Sequence, residues 1–384
     1  MKIGIITIHN SPNYGACLQA FSLYEYLRQQ GYDVEIIDLL RPYFKEFKPS
    51  KKFKPYQHYK LPIKQKIKKI FISLLKHNKG NVNQHKQQYS NLESLNKFKD
   101  FNSHIKFSKQ YCSIDDLYKN PPQYDVYITG SDQVWNPTQD YCLEPYFLTF
   151  VRKGKKISYA SSIGINELTN KEKKDFSRWL SSYDMISVRE IAAKQLLQPL
   201  LRNKKIEIVS DPTFLLDFDF WNKFIIHPQI KNYILLFTLA YDESMIDYGL
   251  KLCQESNKKL VVLNLNQPNI LNSKYISVTD AGPKEFLGYI ANADMILTDS
   301  FHCTVFSIIL KVPQFYTYIA PWNLRGSRIT NLLKTFHLEN HLLKQDKSQN
   351  WEELNRISIN YSNIEEIYLK EQASSRNYLL RQLS

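Results

Sequence analysis

Three side chains able to do chemistry stand where apolar runs break off. His302 lies in "DMILTDSFHCTVFSIIL", residues 294–310, just after Met295–Leu297 gives way to Thr298, Asp299 and Ser300. Arg189 ends the run "ISVR", and Asp132 follows "YDVYIT" in the stretch "GSDQVWNP". An imidazole moves protons near neutral pH. A guanidinium grips a carboxylate or a phosphate with two donors. A carboxylate can take a proton. Ser300 is a good helix N-cap, so the first amides of a helix fall near Phe301, His302 and Cys303, where the dipole favours an anion. Plainer roles stay open for all three. A histidine can simply cap or pack, an arginine can pair with Glu190 or another local acid, and an aspartate can cap its own loop.

These residues need elements to position them, and the chain supplies a regular alternation. "KIGIITI" predicts a strand, residues 16–30 a helix stopped by Gly31, and "DVEIIDL" a second strand, which together make a parallel βαβ unit. "YDVYITG", "KKISYAS", "MISVRE" and "KIEIVSD" predict further strands, with helices over "NKEKKDFSRWLSSY" and "EIAAKQLLQPLL". A second series begins with "NYILLFTLA" near residue 231. It continues through a helix at 243–256, "KLVVLNL", a helix at 283–292, "DMILTDS", a helix from about 302, and "VPQFYTY". The expected fold class is α/β, with two Rossmann-like domains facing across a cleft in a glycosyltransferase-B-like arrangement. The expected domains are 1–218, with a basic helical insertion at about 41–110, then 219–345, then a helical tail over 346–384. Ligands of open α/β sheets bind beyond the carboxyl ends of the strands. Polar clusters fall at seven such ends, among them "HNSPNYGA", "GSDQVWNP", "SSIG", "SDPT" and "DSFH".

Composition narrows the function classes. With 384 residues, 43% of them hydrophobic, the chain can bury two ordinary cores. No apolar stretch reaches the roughly 18 residues of a membrane span, and the N-terminus turns polar too soon for a secretory signal, so a cytoplasmic protein is expected. The five cysteines form no CxxC pair and read as free thiols. GxGxxG, GxxxxGK[ST] and HExxH are all missing, which weakens dehydrogenase, P-loop and zinc-enzyme readings. The net charge of +14 is local: residues 41–110 hold 18 Lys/Arg against three Asp/Glu, and the rest holds 33 against 34. Within that segment "LPIKQKIKKIFISLLK", residues 61–76, has the pattern of a basic amphipathic helix. It suits either an anionic membrane surface or packing on its own domain with lysines outward. No nucleic-acid motif accompanies the charge, so no nucleic-acid partner is expected.

Taken together, "NSPNYGACLQAFSLYEYL", "GSDQVWN", "YASSIG", "SVRE", "SDPTFLL", "ADMILTDSFHCTVFSIILKVP" and "SRITNLLKTFHL" resemble the polysaccharide pyruvyl transferase family over roughly 1–40 and 124–340. The resemblance implies transfer of pyruvyl from phosphoenolpyruvate to a sugar as a ketal, with release of phosphate and no metal or other cofactor. It implies His302, Arg189 and Asp132 as catalytic groups. Asn13, Tyr14, Gly15, Ser131, Gln133, Ser300, Phe301, Arg325 and Arg328 are then expected to bind substrate. The sugar acceptor is expected in a surface polysaccharide or its lipid-linked repeat unit, with the basic segment at the inner face of a membrane. The family usually carries Gly after the histidine, where this chain has Cys303, a side chain that could crowd the site. Two alternatives remain at this point: a nucleotide-sugar-dependent glycosyltransferase on the same scaffold, and a non-catalytic binding protein.

Overall fold

The computed structural model describes residues 1–42, 44–56, 91–139, 141, 143–263, 274–319 and 326–383. The amphipathic stretch expected at 61–76, Arg325 and Cys142 lie outside the described residues.

Short apolar runs become parallel strands covered by helices on both faces, which is why "VYIT", "YILLF" and "MILT" are buried at every position. The first sheet has the order β2-β1-β3-β4, built from β1 (Lys2–Ile6), β2 (Asp33–Ile36), β3 (Val126–Thr129) and β4 (Lys155–Ser158), all parallel. β5 (Ile186–Val188) and β6 (Ile206–Ile208) form a parallel pair, and the Ser158 amide donates to the Met185 carbonyl at 3.1 Å to join it to β4. The helices of this half are α1 (Tyr14–Gln29), α2 (Leu92–Asn102), α3 (Ile114–Lys119), α4 (Asn170–Leu180) and α5 (Ile191–Leu197). A short helix, α6 (Phe218–Asn222), leads to the second half.

That half alternates β7 (Tyr233–Phe237), α7 (Glu243–Ser256), β8 (Lys259–Leu263), β9 (Ile276–Val278), α8 (Pro283–Ala291), β10 (Met295–Thr298), α9 (Phe301–Ile309), β11 (Phe315–Thr317) and α10 (Ser327–Thr335). Its sheet order is β11-β10-β7-β8-β9, again parallel. The expected α/β architecture of two Rossmann-like halves is therefore present, and several helices start where a side-chain cap stands. Asn13, Thr169, Asp242 and Ser300 each accept a backbone N–H of the helix they open.

Sheet order also locates the switch points, where neighbouring strands lead their crossovers to opposite sides. They fall between β1 and β3 in the first half and between β7 and β10 in the second. The halves meet close to both. Tyr14 stacks on Phe286, with ring centroids 4.2 Å apart, meets Phe237 edge-on and donates its hydroxyl to the Ala281 carbonyl at 3.0 Å. After α11 (Trp351–Asn355), the long α12 (Tyr361–Leu383) returns to the first half. There Tyr378 donates to the Ser158 carbonyl at 2.9 Å and Gln372 to the Phe214 carbonyl at 2.9 Å. Among the described residues no helix is long and apolar enough to cross a membrane.

Candidate active site

The strand ends of the first half are tied to one another before any ligand is considered. Thr7, just past β1, donates its hydroxyl to the Ser131 carbonyl, just past β3, at 3.0 Å. Asp132 adopts a left-handed backbone with φ of 67°, and its carbonyl accepts the Val134 and Ser162 amides. Aspartate tolerates that conformation better than most residues, and such positions gather at functional sites. Glu190 uses one carboxylate oxygen to accept from the Ser162 hydroxyl and from the Ile163 and Gly164 amides. The loops are thus held rigid by buried polar contacts.

Arg189 leaves the end of β5 and is buried. Its Nη1 pairs with Asp211 and also lies 3.4 Å from the Ser131 hydroxyl. Nη2 stands 3.6 Å from Asp132, and Nε stands 4.0 Å from Glu190. The ion pair with a local acid left open by the sequence is therefore real, but its principal partner is Asp211. Nε and Nη2 make no hydrogen bond among the described residues, so donors remain in a buried setting. Burial alone would push the guanidinium's pKa down. Asp211, Asp132 and Glu190 outweigh that and raise it.

His302 approaches the same acid from the second half. Its Nε2 lies 3.4 Å from the Asp211 carboxylate oxygen that also faces Arg189. Its Nδ1 edge packs on Gly15 so closely that a Cβ there would overlap the ring. Asp211's other oxygen accepts the Thr213 amide and hydroxyl. Burial pushes the Asp211 carboxyl up, but His302, Arg189 and the Thr213 amide hold it far below the usual carboxylate range.

Phe301 forms the floor of the cluster. The Arg189 guanidinium lies 4.4 Å and that of Arg328 5.6 Å from its ring centre. Each such contact is worth about 0.5–2 kcal/mol. Arg328, from α10, is buried and places Nη1 3.9 Å from Asp132. Burial raises the Asp132 carboxyl, and Arg189, His302 and Arg328 together bring it below its ordinary value. A pocket opens beside this floor, lined by Arg189, Ser210, Phe301, Arg328, Asn331 and Glu371.

The expected residues thus divide. His302, Arg189, Asp132, Ser131, Phe301, Arg328 and Gly15 come together. Ser300 caps α9 through the Cys303 amide, and Asn13 caps α1 from an exposed position. Two expectations need correction. Tyr14 does not line open space, because packing against Phe286 and Phe237 buries it in the contact between halves. Gln133 is also buried and accepts from Asn136 Nδ2 at 2.6 Å, so it braces its loop. Cys303 does not crowd the site either. Its thiol is fully buried in the core, where desolvation pushes its pKa up to about 12.

Asp211 was legible only as the turn residue of "SDPT". That it also faces Arg189 and His302 depends on residues 22 and 91 positions away. Among the described residues no group of three or more His, Cys, Asp or Glu side chains is placed to hold a metal ion. The four described cysteines are free thiols, as expected.

The family model for polysaccharide pyruvyl transferase matches residues 13–319 of the chain. No curated protein matches it in sequence. Among solved structures, UDP-GlcNAc 2-epimerase from Methanocaldococcus jannaschii, in complex with UDP-GlcNAc and UDP, is similar at 16% identity and a TM-score of 0.48, covering 100% of both chains. A putative UDP-N-acetylglucosamine 2-epimerase from Listeria monocytogenes is similar at 12% identity and a TM-score of 0.48, covering 97% of this chain and 91% of that one. UGT89C1 of Arabidopsis thaliana, complexed with quercetin, is similar at 12% identity and a TM-score of 0.43, covering 100% and 91%.

Proposed function

The chain belongs to the polysaccharide pyruvyl transferase family and is a transferase, and we propose that it moves pyruvyl from phosphoenolpyruvate onto two hydroxyls of one sugar. The observation that carries this reading is the gathering of Arg189, Arg328 and His302, from both halves of the molecule, around Phe301 and Asp211. Phosphoenolpyruvate presents a phosphate and a carboxylate on a small enol, and two guanidiniums beside an imidazole suit that pair of anions.

The chemistry follows from the donor. His302 delivers a proton to the methylene carbon, which leaves C2 electron-poor. One sugar oxygen bonds to C2 and loses its proton. The C2–O bond to phosphate then breaks, phosphate taking the electron pair, and the second hydroxyl oxygen closes the ketal. Of the two hydroxyl protons, one restores the proton given to carbon and the other ends on phosphate, so no further reactant is required. Protonation makes the electrophile, and the reaction so drawn calls on no metal or other cofactor. Asp211 holds His302 and Arg189 in place, and Asp132 bridges towards Arg189 and Arg328. Asn13 and the Ser131–Asp132 loop border the cleft on the acceptor's side.

We further read the acceptor as a sugar of a surface polysaccharide, carried on a lipid-linked repeat unit. The 18 basic residues of 41–110 support placement at the inner, anionic face of a membrane. Sedimentation with anionic liposomes at low salt checks this, and a chain left wholly in the supernatant would remove it. The transfer itself is tested by phosphate release from phosphoenolpyruvate with a panel of glycosides, coupled to mass spectrometry of the products. A pyruvyl adduct is expected. Saturable binding of a nucleotide sugar with indifference to phosphoenolpyruvate would favour a glycosyltransferase instead.

A further inference from the structure

The switch point of the second sheet, between β7 and β10, is spanned by one side chain that the cluster around Asp211 does not use. Asp299, the residue after β10, accepts the Leu239 amide at 2.7 Å, two residues beyond the end of β7. The carboxylate is therefore fixed across the gap where open α/β sheets bind ligands. It stands one residue before the cap of α9, on the helix that presents His302. The same strand end touches the first half, because Phe237 meets Tyr14, whose neighbour Gly15 packs on His302. Leu239, whose amide makes that bond, is an apolar residue exposed at 50%. A sugar ring offers such a place an apolar C–H face and hydroxyls at its edge.

Asp299 is also costly to keep. Burial pushes its carboxyl up to about 6, the Leu239 amide and its own amide offset part of that, and Asp242 adds to it. The titratable groups that face it are Asp242 from the loop before α7, Tyr318 beyond β11 and Cys303 in α9. Lys347 lies over the Tyr318 ring at 4.9 Å and donates to the Ser244 hydroxyl. Among the described residues no cation forms an ion pair with Asp299. A half-buried carboxylate without a counter-charge weakens a fold, and such groups mark functional sites.

We propose that Asp299, held by the Leu239 amide at the second switch point, is the base that takes the proton from the attacking hydroxyl of the acceptor sugar. This rests on the transfer reaction proposed above. The sugar O–H bond breaks as the oxygen bonds to C2 of the donor, and the proton passes to a carboxylate oxygen of Asp299. It leaves from there with the departing phosphate.

Asp299→Asn tests this, since asparagine keeps an oxygen for the Leu239 amide. In the wild type, kcat with phosphoenolpyruvate and a methyl glycoside falls as the pH drops through about 6, where the base becomes protonated. Asp299→Asn is expected to lose that acidic limb and about 10²–10⁴-fold in kcat, with KM for phosphoenolpyruvate unchanged. A variant with the wild-type rate and the same acidic limb overturns the proposal. A second measurement needs no phosphoenolpyruvate: saturation-transfer NMR of methyl galactoside and methyl glucoside. Binding by the wild type that weakens in Asp299→Asn and in Leu239→Arg supports the subsite. Equal binding by all three proteins, or none by the wild type, overturns it. Glycoside binding that depends on Asp299, with no phosphate release by the wild type, sinks the transfer reaction and leaves the subsite standing.

Discussion

At Asp211 one carboxylate oxygen caps Thr213 while the other faces Arg189, Ser131 and His302. "SDPT" predicts the first role from local turn chemistry. The second needs three loops from two halves, and nothing local announces it. Removing one partner of a buried ion pair leaves the other uncompensated, so Asp211→Asn should cost about 3–5 kcal/mol in urea unfolding at pH 7. The pH dependence has a fixed sign. The folded carboxyl lies far below its unfolded value of about 3.9, so its contribution is complete above that value and shrinks as the pH falls through it. The gap between wild type and variant should narrow between about pH 5 and pH 3, and a constant gap would refute the pairing. Asp299 has the opposite sign. Its folded pKa is raised to about 6, so ionisation destabilises the fold, and the loss grows with pH up to that point. Asp299→Asn should therefore melt higher than wild type at pH 7.5 and show no gain near pH 4. His302 is buried, so alanine would leave a cavity, and glutamine is the better probe. His302→Gln should lower phosphate release by about 10²–10⁴-fold with a nearly unchanged melting curve.

α9 shows how far an element can be read from sequence. The apolar run, the Ser300 cap and the position of the helix start were all legible, because each rests on neighbours in the chain. The face of that helix was not. Cys303 turns into the core and His302 turns towards Gly15, a choice made by packing against α1. The burial of Tyr14 has the same cause, since the rings packed on it come from α2, β7 and α8. The contact between the two helix starts gives a sharp prediction. Alanine is a better helix former than glycine, so Gly15→Ala would favour α1 in isolation. Its Cβ would nevertheless overlap the His302 ring, and the two helix starts must separate. Phosphate release should fall at least about tenfold while helical content, read by circular dichroism, stays at the wild-type level. Wild-type activity in Gly15→Ala would show that this contact is not needed.

Over the whole molecule, strand alternation was enough to foresee two parallel sheets, because both are buried on both faces and carry their signal locally. The path of the C-terminal helix was not foreseeable. α12 follows the second half in sequence and packs on the first, with Tyr378, Gln372 and Arg376 bonded to carbonyls of Ser158, Phe214 and Leu215. Deleting residues 361–383 should therefore destabilise the first half and expose Phe214 and Leu215. Earlier thermal unfolding and added dye binding are expected, and an unaltered melt would contradict the strap. The central claim concerns the cluster where the halves meet, and calorimetric titration with phosphoenolpyruvate addresses it most directly. The wild type should bind saturably, with Arg189→Lys and Arg328→Gln each weakening the affinity by at least about tenfold, the loss of one charge-assisted contact. No heat of binding in the wild type, or equal affinity in all three proteins, would contradict the account.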